Sequence, residues 1–279
     1  MNATTSIDVP PAPRLAALAS VLTGMGSVAV AVSGGVDSTT LACVARDTLG
    51  DRATMFHARS AAVPAEATAR VRQLASERAW HLEIIDAGEF GNDAYLANPV
   101  DRCFHCKTSL YGAIRRATHE QIVSGTNLDD LSDYRPGLIA ARDHGVRHPF
   151  VEAGIAKAAV RAFARQLGLP EIAELPASPC LSSRIETGIA IEADILDRVH
   201  AAERLIRERH APQTARCRVR ADGIVIELDD ASLARLSGES RRALGADVQA
   251  LFASTRYHSV VLAPYAMGSA FLRGVPIVG

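Results

Sequence analysis

Short apolar runs alternate with amphipathic stretches from Val28 to about Val123. Ser27–Val32 (SVAVAV) and Ala53–Ala58 read as buried strands, followed by His81–Ile85 and Gln121–Ser124. Between them, apolar residues recur at helical spacing over Asp37–Leu49, Ala65–Ala79 and Lys107–Thr118. The first of these helices closes at Gly50, and the second opens just after Pro64. Strand and helix in this rhythm predict an α/β fold, a parallel sheet with helices on both faces. Ligands of such sheets bind at the carboxyl ends of the strands. Ser33-Gly34-Gly35 and Gly125-Thr126-Asn127 both fall there.

Farther on, Lys157–Leu167 predicts a helix ending at Gly168, and LPASPCLSSRIETG (175–188), with Pro176 and Pro179, predicts an extended loop. The style then changes. Glu192–Arg209 predicts a long amphipathic helix. Arg216–Arg220 and Ile224–Leu228 flank Ala221-Asp222-Gly223 as a hairpin, and Tyr257–Leu262 predicts a last strand. A boundary near Thr187 divides a first domain (15–187) from a second, smaller α/β domain (188–279), after a disordered N-terminus (1–14) rich in small residues and Pro. Trp80, Phe56, Phe163 and Phe252 are expected in the core.

Composition narrows the class. The 279 residues are 48% hydrophobic and 22% charged, as in ordinary globular proteins. No signal-peptide pattern opens the chain and no apolar run reaches membrane-spanning length, so the expectation is a cytoplasmic protein without a membrane partner. Thirty basic against 31 acidic residues give no electrostatic footprint for nucleic acid. The odd number of cysteines (Cys43, Cys103, Cys106, Cys180, Cys217) argues against a disulfide framework.

The turn Ser33-Gly34-Gly35-Val36-Asp37-Ser38 joins a strand to a helix. Glycines let a ligand approach the backbone, the following helix N-terminus attracts an anion, and two hydroxyls add donors. A Walker lysine is missing, which argues against γ-phosphate transfer of the P-loop kind. A tight structural connection is the plain alternative.

The stretch resembles the pyrophosphate loop (PP-loop) of ATP pyrophosphatases, of the adenine nucleotide alpha hydrolase-like fold, in which ATP is cleaved between the α- and β-phosphates. RCFHCK (102–107), GTNLDDLSDYRPGLIAA (125–141), FVEAGIAK (150–157) and PASPCLSSRI (176–185) further resemble the LarE family. Those enzymes are ATP-dependent sulfur transferases that help make the nickel-pincer nucleotide cofactor of lactate racemase. The resemblance spans Val28 to about Glu208, continues loosely into RCRVR (216–220), and is weak over Tyr265–Gly279.

The resemblance implies that Ser33, Gly34, Gly35, Val36, Asp37 and Ser38, with Gly125, Thr126, Asn127, Asp129, Asp130 and Arg135, bind ATP. Asp129, Asp130 and Asp133 would hold Mg²⁺, or serve as helix caps. Cys180 is implied as the sulfur donor, with Arg184 beside it favouring the thiolate. Both Arg135 and Arg184 suit the α-phosphate. Thiolate attack on an acyl-adenylate, then loss of the Cys180 α-proton, would leave thiocarboxylate on the substrate and dehydroalanine in the chain. Cys103, Cys106 and Cys180 are three thiolates, the number that holds a [4Fe–4S] cluster with one open iron. Zinc with His105, a redox pair, or reduced thiols capping a helix are the alternatives.

Arg216, Arg218 and Arg220 alternate along one strand and share a face, so a bound anion is expected there. By resemblance Arg218 and Arg220 take the phosphate of the nucleotide substrate, at a subunit junction of a homo-oligomer. A solvated edge strand is the plain reading. Cys43 and Cys217 are expected to be packing residues. Rival functions are a tRNA-thiolating or other PP-loop sulfur-insertion enzyme, an ammonia-using PP-loop ligase, and a non-catalytic ATP-binding protein.

Overall fold

The computed structural model describes residues 11–132, 135–176 and 179–272, with side chains from residue 14 onward. The chain forms two compact units that interleave along the sequence. One comprises Met1–Ser60, Ala65–Gly88 and Cys106–Ser178; the other comprises Ala61–Pro64, Glu89–His105 and Pro179–Gly279.

The first unit holds strands β1 (Val28–Ala31), β2 (Ala53–Ala58), β3 (His81–Ile85) and β4 (Gln121–Ser124), all parallel in the order β3-β2-β1-β4. Alternate residues of β1 enter two separate cores, as a sheet covered on both faces requires. Val28 and Val30 pack with Leu41 and Val44 of helix Val36–Leu49 and with Val160 and Phe163 of helix Lys157–Gln166. Ala29 packs with Phe56, Ile122, Tyr111 and Ile114. Burial of each large side chain stabilises the fold by about 1.5–3 kcal/mol. Helix Pro11–Thr23 places Leu18 and Leu22 in the first core, so Pro11–Arg14 of the segment expected to be disordered is helical. The residues before it lie outside the described ones.

In the second unit β5 (Ala215–Arg220) and β6 (Gly223–Leu228) form the expected antiparallel hairpin, and β7 (Val260–Pro264) pairs parallel to β6. β7 begins three residues later than the sequence predicts. Helix Ala193–His210 buries Leu196, Val199 and Ile206, and helix Gly238–Leu251 buries Leu244 and Val248. An Ile185–Val219 bridge covers the outer edge of β5, so β5 is not the solvated edge of the plain reading.

The expected single cut near Thr187 gives way to this interleaving for a local reason. Asn98 is fully buried with φ +53°, a backbone state Asn tolerates. Its Nδ2 donates to Glu186 O (2.8 Å) and Ile189 O (2.9 Å). Tyr95 and Ser182 share a hydroxyl bond of 2.6 Å. Segment 95–98 is thereby sewn to segment 182–189. Arg102 Nη1 donates to Asn98 Oδ1 (2.7 Å), and the helix expected from Lys107 starts at Arg102. The Cys103 and Cys106 pair therefore sits inside that helix. Among the described residues, no helix is long and apolar enough to cross a membrane.

Candidate active site

β1 and β4 are neighbours, so the turns that follow them emerge side by side at the carboxyl edge. Gly34 has φ +80°, and a Cβ there would lie 2.9 Å from Ala67 O. A Cβ on Gly125 would lie 2.7 Å from Ser38 N. Both positions require glycine: one for its dihedral, the other for the close approach of the two turns. Ser38 Oγ accepts from Ser33 N–H (3.0 Å) and lies 3.0 Å from Ser33 Oγ. Gly35 opens helix Val36–Leu49 with no side-chain cap, so its first-turn amides face the turn as donors for an anion. The Val36 side chain is in the core, leaving only its amide to the loop.

Asp37 ties the two turns together. Its Oδ1 accepts from Asn127 Nδ2 (3.2 Å), and its Oδ2 pairs with Lys157 Nζ, 120 residues away in sequence. Lys157 is the first residue of its helix, and its amide donates to Asp129 Oδ2 (3.0 Å). Asn127 N donates to Asp130 Oδ2 (3.0 Å), and Arg135 pairs with Asp130 at 2.9 Å. Asp129 and Asp130 thus each cap a backbone amide; Asp133 lies outside the described residues. Ser124 Oγ lies 3.1 Å from Thr126 Oγ1 and 2.8 Å from His148 Nδ1. Burial lowers the pKa of His148, against the pull of Glu152 and Asp130.

Lys157 and His148 are the functional candidates that residue-by-residue reading missed. A signal for Lys157 was present. The chain has two lysines, Lys107 and Lys157, against 28 arginines. Lysine in place of the default arginine marks a position where a compact, mobile ammonium suits the chemistry.

In the second unit, Cys180 is exposed and its backbone is fixed. Its carbonyl accepts from Ser183 N (3.0 Å), and the adjacent Leu181 N donates to Ala62 O (2.9 Å). Leu181–Arg184 is a short 3-10 turn within the segment expected to be extended. Cys43 and Cys217 are buried, as expected of packing residues, and burial pushes the Cys43 thiol up to about 12 and the Cys217 thiol up as well.

Arg184 differs from its expected role beside the thiolate. It is buried, and its Nε and Nη2 form a bidentate pair with Glu203 (2.8 and 3.1 Å). Nη1 donates to Pro179 O (2.7 Å) and Cys180 O (3.2 Å). Its charge is matched by Glu203, and its remaining bonds hold the main chain that carries Cys180. Burial alone would raise the Glu203 pKa, but the Arg184 hydrogen bond and the charges of Arg184, Arg207 and Arg216 hold it below the usual carboxylate range.

The arginine strand likewise meets protein carboxylates. Arg218 is buried and pairs with Glu227 (2.9 Å); Arg220 pairs with Glu186 (2.8 Å) and more distantly with Glu227 (3.5 Å). The like-charge repulsion expected along β5 is offset by these side chains, a pairing that alternation along one strand did not reveal. Arg216 stacks 5.9 Å from the Tyr265 ring, and its pKa is lowered by burial and by Arg184.

Cys103 and Cys106 are half-buried on the first turns of helix Arg102–Ala117, one turn apart. Among the described residues, no group of three His, Cys, Asp or Glu is placed to hold a metal ion. The [4Fe–4S] cluster expected of Cys103, Cys106 and Cys180, and the zinc alternative with His105, thus gain no support from the described residues. His105 Nε2 instead lies 3.9 Å from Asp101 Oδ1.

No protein-family model matches the sequence. An uncharacterized protein of Synechocystis is 39% identical over 182 residues, covering 64% of this chain and 68% of its own. An uncharacterized protein of Methanocaldococcus jannaschii is 28% identical over 142 residues, 50% of this chain and 55% of its own. The pyridinium-3,5-bisthiocarboxylic acid mononucleotide synthase of Lactiplantibacillus plantarum is 32% identical over 227 residues, 80% of this chain and 82% of its own. With agreement of that extent along both chains, added to a parallel α/β sheet, this chain belongs to the LarE family.

Proposed function

We propose that the chain is an ATP-dependent sulfur transferase that adenylates a carboxylate of a pyridinium mononucleotide and replaces one carboxylate oxygen by sulfur. The observation that carries this reading is the exposed thiol of Cys180 on a backbone held by Arg184. A non-catalytic nucleotide-binding protein has no need of such a thiol.

The residues divide the work as follows. The Ser33–Ser38 turn and the amides opening helix Val36–Leu49 take the polyphosphate, as a PP-loop does. Lys157, held by Asp37 in the structure, exchanges that partner for phosphate oxygens and neutralises the departing pyrophosphate. Gly125, Thr126 and Asn127 complete the nucleotide site, and Mg²⁺ enters with ATP. Attack of the substrate carboxylate on the α-phosphorus expels pyrophosphate and gives an acyl-adenylate. The Cys180 thiolate then attacks the acyl carbon and expels AMP, forming a thioester. Removal of the Cys180 α-proton sends its electron pair into a new Cα=Cβ bond and breaks Cβ–S. The thiocarboxylate leaves, and dehydroalanine remains. Arg218 and Arg220 hold the substrate's phosphate.

The test is the mass of the protein after one turnover. Wild type should lose the equivalent of H₂S at Cys180. Cys180→Ala should release pyrophosphate and form the acyl-adenylate but no thiocarboxylate. Thiocarboxylate produced by that variant overturns the assignment of the donor.

A further inference from the structure

The C-terminal segment from Ala266 to Leu272 lies on the same two arginines. Arg218 Nη2 donates to Ala266 O (3.4 Å), and Arg220 Nη1 donates to Ser269 O (3.1 Å). Ser269 Oγ donates to Glu227 Oε1, on the carboxylate that faces both guanidiniums. The far end of the segment is pinned separately. Thr187 N donates to Ala270 O (3.0 Å), Leu272 N donates to Thr187 Oγ1 (3.3 Å), and the Arg102 guanidinium stacks 4.7 Å from the Phe271 ring. Ala270 is buried. The segment is therefore a strap with two footholds: one on the arginines, one on Thr187 and Arg102.

We infer that this strap competes with the substrate's phosphate for Arg218 and Arg220, so that a phosphorylated ligand binds only by displacing it. This rests on the reading of the two arginines as the phosphate site. The foothold on the arginines uses neutral carbonyl acceptors, each a modest net contributor. A phosphate monoester brings two charges and several oxygens to the same guanidiniums, and charge-assisted bonds of that kind are roughly twice as strong. A nucleoside without phosphate brings nothing that displaces Ala266 O and Ser269 O. The second foothold keeps the strap attached while the first opens. The strap thus lowers the affinity for the phosphorylated ligand, which must displace it.

Hydrogen–deuterium exchange over residues 266–272 tests this, with a pyridinium-carboxylate mononucleotide, its nucleoside and inorganic phosphate as probes on the full chain. The mononucleotide and, at higher concentration, inorganic phosphate should speed exchange in the strap, and the nucleoside should not. Phe271→Ala and Ser269→Ala each loosen the strap without touching the arginines. Both should bind the mononucleotide about fivefold more tightly than wild type, because less of the protein is held in the closed state. Arg220→Gln separates the two readings. If it abolishes mononucleotide binding while exchange in the strap is unchanged and neither loosened variant binds more tightly, the strap idea fails and the phosphate site stands. If it leaves binding intact, the phosphate site falls and the strap with it. Melting curves of both loosened variants guard against misfolding: tighter binding by a folded Ser269→Ala supports the strap even if Phe271→Ala is unstable.

Discussion

At the carboxyl edge of the parallel sheet, Asp37 and Lys157 form an ion pair with side chains 27% and 33% exposed. Behind the Cys180 loop, Arg184 and Glu203 form one with side chains 2% and 1% exposed. The first pair is surrounded by groups that have room to re-partner: an uncapped helix N-terminus, two serine hydroxyls and an amide side chain. The second is saturated on both sides, since Glu203 also accepts from Arg207 and from Cys217 N, and Arg184 also holds two carbonyls. A half-exposed pair contributes little to stability and can open for a ligand. A fully buried one cannot lose either partner without stranding a charge. Charged residues that look alike in the sequence are thus free to re-partner in one place and locked into the fold in the other.

The sharpest way to break this contrast is Glu203→Ala. It leaves Arg184 buried without its carboxylate and should cost about 3–5 kcal/mol of stability, read as a lowered denaturant midpoint. A loss within the range of surface substitutions would mean that the pair does not hold the Cys180 loop. Next in size is Lys157→Met. Its folding stability should barely change, while pyrophosphate release should slow by about a hundredfold, the scale of one electrostatic donor lost at a developing charge. If the folded variant adenylates as fast as wild type, the Asp37 pair is only structural. The smallest effect is pH-dependent. Because the Glu203 pKa is depressed in the fold, its contribution is fully present above the ordinary glutamate value of about 4.3 and is lost as pH falls through the lower folded value. Glu203→Gln should flatten that acid limb in pH-dependent melts. An acid limb identical to wild type would assign the loss of stability to other carboxylates.

Local signals were legible where a local cause fixes the outcome. β2, β3 and β4 fall on the residues that apolar runs and breakers predict, and Gly223 ends the turn of a real hairpin. The start of helix Arg102–Ala117 was not legible, because the Arg102 side chain is held by Asn98, a contact that helical spacing does not reveal. The arginine strand was read correctly as to face, but its counter-charges were out of view. Glu186, Glu203 and Glu227 come from a loop, a helix and the neighbouring strand.

The sequence by itself determined the parallel α/β sheet, the placement of two glycine turns at its carboxyl edge, and the accessibility of the thiol in a proline-flanked loop. These follow from periodicity and residue-specific backbone preference, which act within a few residues. Only the tertiary structure decided which charges are free to meet a ligand. It set Lys157 on Asp37 across 120 positions, committed Arg184 to Glu203, and laid the carbonyls of Ala266 and Ser269 on Arg218 and Arg220. The physical reason is that an ionic side chain takes its role from the charge and burial around it, and those neighbours come from distant segments that one-dimensional spacing does not reveal.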